Sequence, residues 1–249
     1  MRTVFSIFKK ELRSIIGSPF YYVIGLLFTL FLSLNYIRTL SQFQGMSLQG
    51  AGVNIHSGLF IPHLNSIYLI FLVIIPLLTM KLFAEEKRNR TFDLLLTAPI
   101  TSTQIVIGKF LASWLSVLIL LLIGMMYPLM TSLVASFDWG PMWGSYLGMF
   151  WLAGVNVSIG MFASTLTASS IVCAFLGFLL ILGLMLLGSG AGKMADPFWS
   201  SLFDQLSLVT HLQSFFQGLF EVKAFVFMIS CILLFSFMAI RMVESSRWR

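Results

Sequence analysis

The chain has 249 residues, of which 58% are hydrophobic and 10% charged, with a mean hydropathy of +0.96. Water-soluble domains carry roughly 25% charged residues, so this composition excludes a soluble fold and makes lipid the solvent for most of the molecule. Fifteen Lys and Arg against nine Asp and Glu give a net charge of +6; no basic stripe with interleaved aromatics accompanies them, which argues against nucleic acid.

Residues 1–18 read as an amphipathic helix. Val4, Phe5, Phe8, Leu12, Ile15 and Ile16 fall within an arc of about 120° at 100° per residue, and Arg2, Lys9, Lys10 and Arg13 occupy the adjoining arc. Such a helix lies in the membrane interface, with Lys9, Lys10 and Arg13 toward anionic lipid headgroups. It serves either as a lipid anchor or as an elbow that also touches a cytoplasmic partner. Spread cations and the lack of a small-residue cleavage site argue against a cleavable signal peptide.

A membrane-crossing helix needs about 20 mostly apolar residues, and six are expected. They run from about Phe20 to Leu40, Ile61 to Phe83 with a kink at Pro76, Ser102 to Leu133, Trp143 to Ala163, Ile171 to Gly188, and Ala224 to Met242. No Asp, Glu, Lys or Arg occurs between Trp139 and Gly192, so that stretch folds back on itself at the polar string Ser164 to Ser170. Twelve cations fall on the side of the termini and of the second-to-third connection, and three on the other. Cytoplasmic loops attract cations, so both termini are expected inside. The fold class is an all-α polytopic membrane protein forming a single transmembrane domain over residues 1–249.

The connection from Lys81 to Lys109 carries the most information. Three of the nine acids and four of the fifteen bases lie between Lys81 and Asp93, a mixture that sorting by positive charge does not require and that suits a protein-facing surface. Thr91 to Thr97 reads as a short helix with Phe92, Leu95 and Leu96 on one side and Asp93 in its first turn, stopped by Pro99. Thr101 and Gln104 have capping-box spacing, flanked by Ile100 and Ile105 as a hydrophobic staple. Together these features describe a docking knob at residues 84–100; an ordinary solvated loop is the alternative.

The fifth helix carries Gly177 and Gly183, whose small size permits close backbone approach. An interface with a second copy and packing within one subunit are both open. Residues 189–223 read as an outer hairpin: Asp196-Pro197 starts one short helix, Thr210 and Gln213 cap a second, and the Phe and Trp residues between them dip back into the outer leaflet. His56, His63 and His211 have no carboxylate companions at ligand spacing, so no metal site is expected. Cys173 and Cys231 read as buried apolar residues. Glu85 and Glu86 are neighbours in sequence, point about 100° apart on a helix, and make no catalytic pair.

The run Glu85-Glu86-Lys87-Arg88-Asn89-Arg90-Thr91-Phe92-Asp93-Leu94-Leu95-Leu96-Thr97-Ala98-Pro99-Ile100, followed by Gln104 and Gly108-Lys109, resembles the segment after the second helix of ABC-2 family transporter permeases. Six helices, an amphipathic start and compact size are similar too, and the closest likeness is to the small gliding-motility and copper-processing permeases. The resemblance implies a permease subunit, not an enzyme, with a cytoplasmic coupling helix resting in a cleft of a separate ABC ATPase dimer and with a second permease copy or homologue alongside. Glu85 and Glu86 would begin the charged stem, and Lys87, Arg88 and Arg90, with Thr91 and Asp93 beside them, would face the ATPase. Phe92 and Leu95 would fill its groove. No phosphate-loop motif G-x-x-x-x-G-K-[ST] occurs, so no cofactor is expected on this chain, and ATP and Mg belong to the partner. The expected setting is the bacterial cytoplasmic membrane, the expected direction is export, and an accessory outer protein is left open. The alternative, a stand-alone secondary carrier or intramembrane enzyme, usually needs ionisable groups within the spans, where few occur.

Overall fold

The computed structural model describes residues 2–48, 54–92, 100–191 and 197–246. Helix α1 covers Arg2–Ile16 and α2 covers Pro19–Leu48. A π-helical turn at His56–Phe60 leads into α3, Ile61–Thr79, and α4, Lys81–Arg88. Next come α5, Ser102–Gly124, α6, Met126–Ser132, and α7, Trp139–Leu166. Helices α8, Ser170–Ala191, α9, Pro197–Leu206, α10, Leu208–Phe216, and α11, Val222–Ser245, complete the fold.

Among the described residues, six segments are long and apolar enough to cross a membrane: Pro19–Leu48, His56–Arg88, Ser102–Ser132, Trp139–Leu166, Ser170–Leu187 and Val222–Ser245. The number is the expected one, but several ends differ. The first span runs on to Leu48, and its hydroxyls bond back into the helix: Thr29, Ser33, Thr39 and Ser41 donate to the carbonyls of Gly25, Thr29, Asn35 and Arg38 at 2.8–3.0 Å. The second continues through Lys81–Arg88, so the residues expected to form a stem in a loop are helical. Lys87 and Arg88 in its last turn suit the negative end of the helix dipole. The third is broken after Gly124, and Pro128 lies in the first turn of the short α6, where a missing N–H leaves no helical bond unmade. The fourth starts earlier, at Trp139, because Asp138 accepts a hydrogen bond from Gly140 N at 2.9 Å and caps it. Its reversal into the fifth takes only Thr167 to Ser169.

Helix α7 is the hub. It contacts α3, α4, α5, α8, α10 and α11, whereas the first, fifth and sixth spans remain largely open to their surroundings. A Cβ built at Gly160 would lie 2.1 Å from Thr79 Oγ1, so only glycine lets α7 meet α3 there. We expect Gly160→Val to lower stability by about 1–3 kcal/mol, the cost of overpacking a filled core; unfolding of the purified protein in micelles measures it. Gly177 sits on the same contact, with its built Cβ 3.5 Å from Pro76, 3.6 Å from Gly160 and 3.7 Å from Ala163. It is buried against α3 and α7 of its own subunit. Gly183 is exposed, with nothing within 4 Å of a built Cβ.

On the opposite end from α4, α9 and α10 form the two short helices expected after the fifth span. The cap of α10 is Ser207, whose hydroxyl accepts from Thr210 N at 3.2 Å, and not the anticipated Thr210. Leu208, Leu212, Phe215 and Phe216 bury the inner side of α10. His56 Nε2 donates to the Phe216 carbonyl at 2.7 Å, tying the π-turn to this hairpin. Gly192, Lys193 and Asp196 lie outside the described residues.

Candidate functional site

The end of α4, the start of α5 and the middle of α1 meet at one buried cation. Lys109, in the second turn of α5, is 1% exposed. Its ammonium donates to Glu86 Oε1 at 2.8 Å, to the Leu82 carbonyl at 2.7 Å and to Glu11 Oε1 at 3.2 Å, which uses all three N–H bonds. The Phe83 ring lies 5.0 Å from the same nitrogen. Three elements far apart in sequence are thereby pinned to one atom. Glu86 Oε2 is buried with no hydrogen-bond partner. A cleft of about 270 Å³ adjoins it, bounded by Lys10 and Ser14 of α1, Tyr21 of α2, and Lys81, Glu85 and Asn89 of the α4 segment.

Sequence reasoning picked out Glu86 and Gly108-Lys109 but missed Glu11. The signal was present: Glu11 is the only acid before Glu85, and a lone carboxylate on an otherwise basic helix needs a cationic partner.

The exit from α4 is a Schellman turn. Thr91 N donates to the Glu86 carbonyl at 3.0 Å and Arg90 N to the Lys87 carbonyl at 3.3 Å. The residue at the left-handed position is Arg90, φ +56°, the only non-glycine with positive φ among the described residues. The equivalent turn after α10 puts glycine there: Gly218 has φ +77°, with Leu219 N bonded to the Ser214 carbonyl at 3.0 Å. A left-handed non-glycine residue costs about 1–2 kcal/mol, so Arg90 is held against a local preference. Such strain concentrates at functional positions.

Side chains of the predicted docking run divide into two sets. Phe92 turns inward and is 5% exposed; its ring meets Phe83 edge-on with centroids 6.2 Å apart, and Lys87 Nζ lies 5.4 Å over it. In this structure it packs within its own subunit. Glu86 faces Lys109, and Lys87 donates to the Thr165 carbonyl at the end of α7; both therefore work inside the chain. Glu85 is half-exposed and pairs with Lys81 at 3.4 Å, one helical turn back. Arg88, Asn89, Arg90 and Thr91 are exposed. Asp93, Leu95 and Pro99 lie outside the described residues. Beyond them the chain rejoins α5 through the anticipated capping box: Thr101 N donates to Gln104 Oε1 and Gln104 N to Thr101 Oγ1, both at 3.3 Å.

This arrangement belongs to a segment spanning almost the whole chain, since residues 5–243 match the family described as ABC-2 family transporter protein. The chain belongs to that family. No curated protein matches it. ABC-2 permeases are generally membrane channel subunits rather than enzymes, and typically work with a cytoplasmic ABC ATPase. The six apolar spans agree with a multi-pass permease. In this ABC-2 protein the second apolar segment continues without a loop into α4, is clamped at Lys109 and leaves through a strained arginine turn. Lys9, Lys10 and Arg13, expected on the membrane-surface helix, are exposed on α1.

Proposed function

We propose that this chain is the permease subunit of an ABC-2 exporter, driven by a separate ATPase that grips the α4 turn. The observation that carries the reading is the Lys109 knot. A load applied to α4 is shared at once with α1 and α5 through short charge-assisted bonds, so a push on this end moves a rigid unit and not a loose loop. ATP-driven closure of paired ATPases then tilts the first, second and fifth spans between access states. The exposed Arg88 and Arg90 face the ATPase, with Asn89 between them and Thr91 after them, and Asp93 and Leu95 of the following segment belong to the same docking surface. Phe92, Glu86 and Lys87 hold that surface in place from behind.

In this reading the termini and α4 lie in the cytoplasm of a bacterium, α1 rests in the inner-membrane interface, and the α9–α10 hairpin re-enters the outer leaflet as a gate. Two copies, or this chain and a homologue, pair on a face that includes Gly183. ATP and Mg are bound by the ATPase alone. Its subfamily in this reading is that of the small gliding-motility and copper-processing permeases.

The test is co-expression with a cytoplasmic phosphate-loop ATPase, sought first among the neighbouring reading frames. The two should purify together as a two-plus-two complex, and ATPase activity should rise on assembly. Independent migration of the two proteins would overturn the reading. In sealed vesicles with ATP on the cytoplasmic face, inward movement of cargo would overturn the assignment as an exporter.

A further inference from the structure

The flank of α1 opposite the charged cleft carries a second concavity. Val4, Phe5 and Phe8 of α1 face Trp114, Leu115 and Leu118 of α5 across a groove of about 600 Å³, within the roughly 300–1,000 Å³ typical of ligand sites. Its described lining is apolar. The one polar side-chain atom among the lining residues, Trp114 Nε1, is already spent on the Phe150 carbonyl at 3.0 Å, so no side chain of the wall is left to hold a polar occupant. The groove exists because α1 is drawn onto α5 along one edge of its apolar arc. A Cβ built at Gly108 would lie 2.8 Å from Ile7 Cγ2 and 3.3 Å from the Val4 carbonyl. The rest of the arc, including Phe5 at 64% exposure, is left overhanging the outer surface of α5.

We propose that this groove holds the acyl chain of one anionic phospholipid per subunit, with its phosphate at the exposed Lys9 and Arg13. Charge complementarity selects the occupant. Lys9 lies one helical turn from Phe5 and Arg13 one turn from Lys9, so a cationic row runs along the free edge of the overhang. An alkyl chain needs only the apolar contact that this wall offers, and an anionic headgroup uses the two cations at its edge, which a purely apolar protein segment would leave unpaired. The inference rests on α1 lying in the interface, as proposed above, and is independent of the ATPase reading. The bound lipid would be a structural wedge that fixes the angle between α1 and α5.

The full-length protein, reconstituted in vesicles of equal phosphatidylglycerol and phosphatidylethanolamine and re-extracted in mild detergent, should retain one phosphatidylglycerol per chain by native mass spectrometry. Leu115→Trp, a partly exposed site, fills the groove and should reduce retention about tenfold or more, as expected for losing an apolar ligand site. Lys9→Gln with Arg13→Gln should reduce the preference for phosphatidylglycerol roughly 10- to 30-fold, the effect of two surface cations. Absence of retained lipid in the wild type, undiminished retention in Leu115→Trp, an unchanged preference in the double variant, or cross-linking of Phe5→Cys to a second polypeptide would each overturn the proposal. A polarity-sensitive fluorophore on Leu12→Cys, in a Cys173→Ser and Cys231→Ser background, reports separately on whether α1 lies on the membrane. A water-like signal there defeats the interfacial reading itself; a lipid-like signal with an empty groove defeats only the retained lipid.

Discussion

Lys109→Met should destabilise the purified permease by about 3–5 kcal/mol, the range for removing one partner of a buried ion pair. Two carboxylates lose their counter-ion at once. Glu11 and Glu86 have side chains only 14% and 20% exposed, so water cannot replace the ammonium fully. The Leu82 carbonyl loses its donor as well. Neutralising both acids in the same background, as Lys109→Met with Glu11→Gln and Glu86→Gln, should recover most of the loss, because a buried charged triad exchanged for uncharged groups is often close to neutral in stability. Unfolding midpoints in micelles measure both variants. The recovery separates electrostatic pinning from simple loss of lysine packing, which the added glutamines would not repair. The same triple variant should stay folded yet couple poorly to the ATPase, since α1 and α4 would no longer share load. A Lys109→Met protein as stable as wild type would remove the knot from any mechanical role.

The sequence was legible wherever the physics is local. Apolar blocks free of charge define the six spans because lipid admits nothing else with unsatisfied backbone. Thr101 and Gln104 form their capping box because both partners lie within one turn. The site is another matter. Its centre joins residues 98 and 23 positions apart, and no periodicity specifies which lysine reaches which carboxylate. Phe92 illustrates the same limit: its apolar character marks a side chain that will be covered, but not whether the cover comes from Phe83 of its own chain or from a partner. Gly177 and Gly183 share one helix and one motif, and only the position of Pro76 and Gly160 separates the packed glycine from the open one. Arg90 is harder still, because left-handed backbone is ordinarily announced by glycine, and here the residue gives no such notice.

That substitution of arginine for the favoured glycine supplies the sharpest functional test. Reversing the charges in Arg88→Glu with Arg90→Glu should leave the bundle folded, since both side chains are exposed and surface changes usually stay within about 0.5 kcal/mol. It should nonetheless abolish ATPase stimulation: an interface arginine of the dominant kind contributes about 2 kcal/mol, roughly thirtyfold in Kd, and like-charge contact adds to the loss. Arg90→Gly then separates two explanations for the strained turn. Removing the left-handed penalty, less the greater freedom of glycine in the unfolded chain, should change stability by about 0 to +1 kcal/mol. If the guanidinium touches the ATPase, this equally or more stable variant binds it more weakly, with Kd rising toward the thirtyfold limit while the α4 turn persists. A variant both as stable and as tightly coupled as wild type would show that Arg90 makes no contact. The docking surface would then have to lie beyond Thr91, on the segment that follows. The pairing of higher stability with weaker coupling is the outcome expected of strain retained for a binding role.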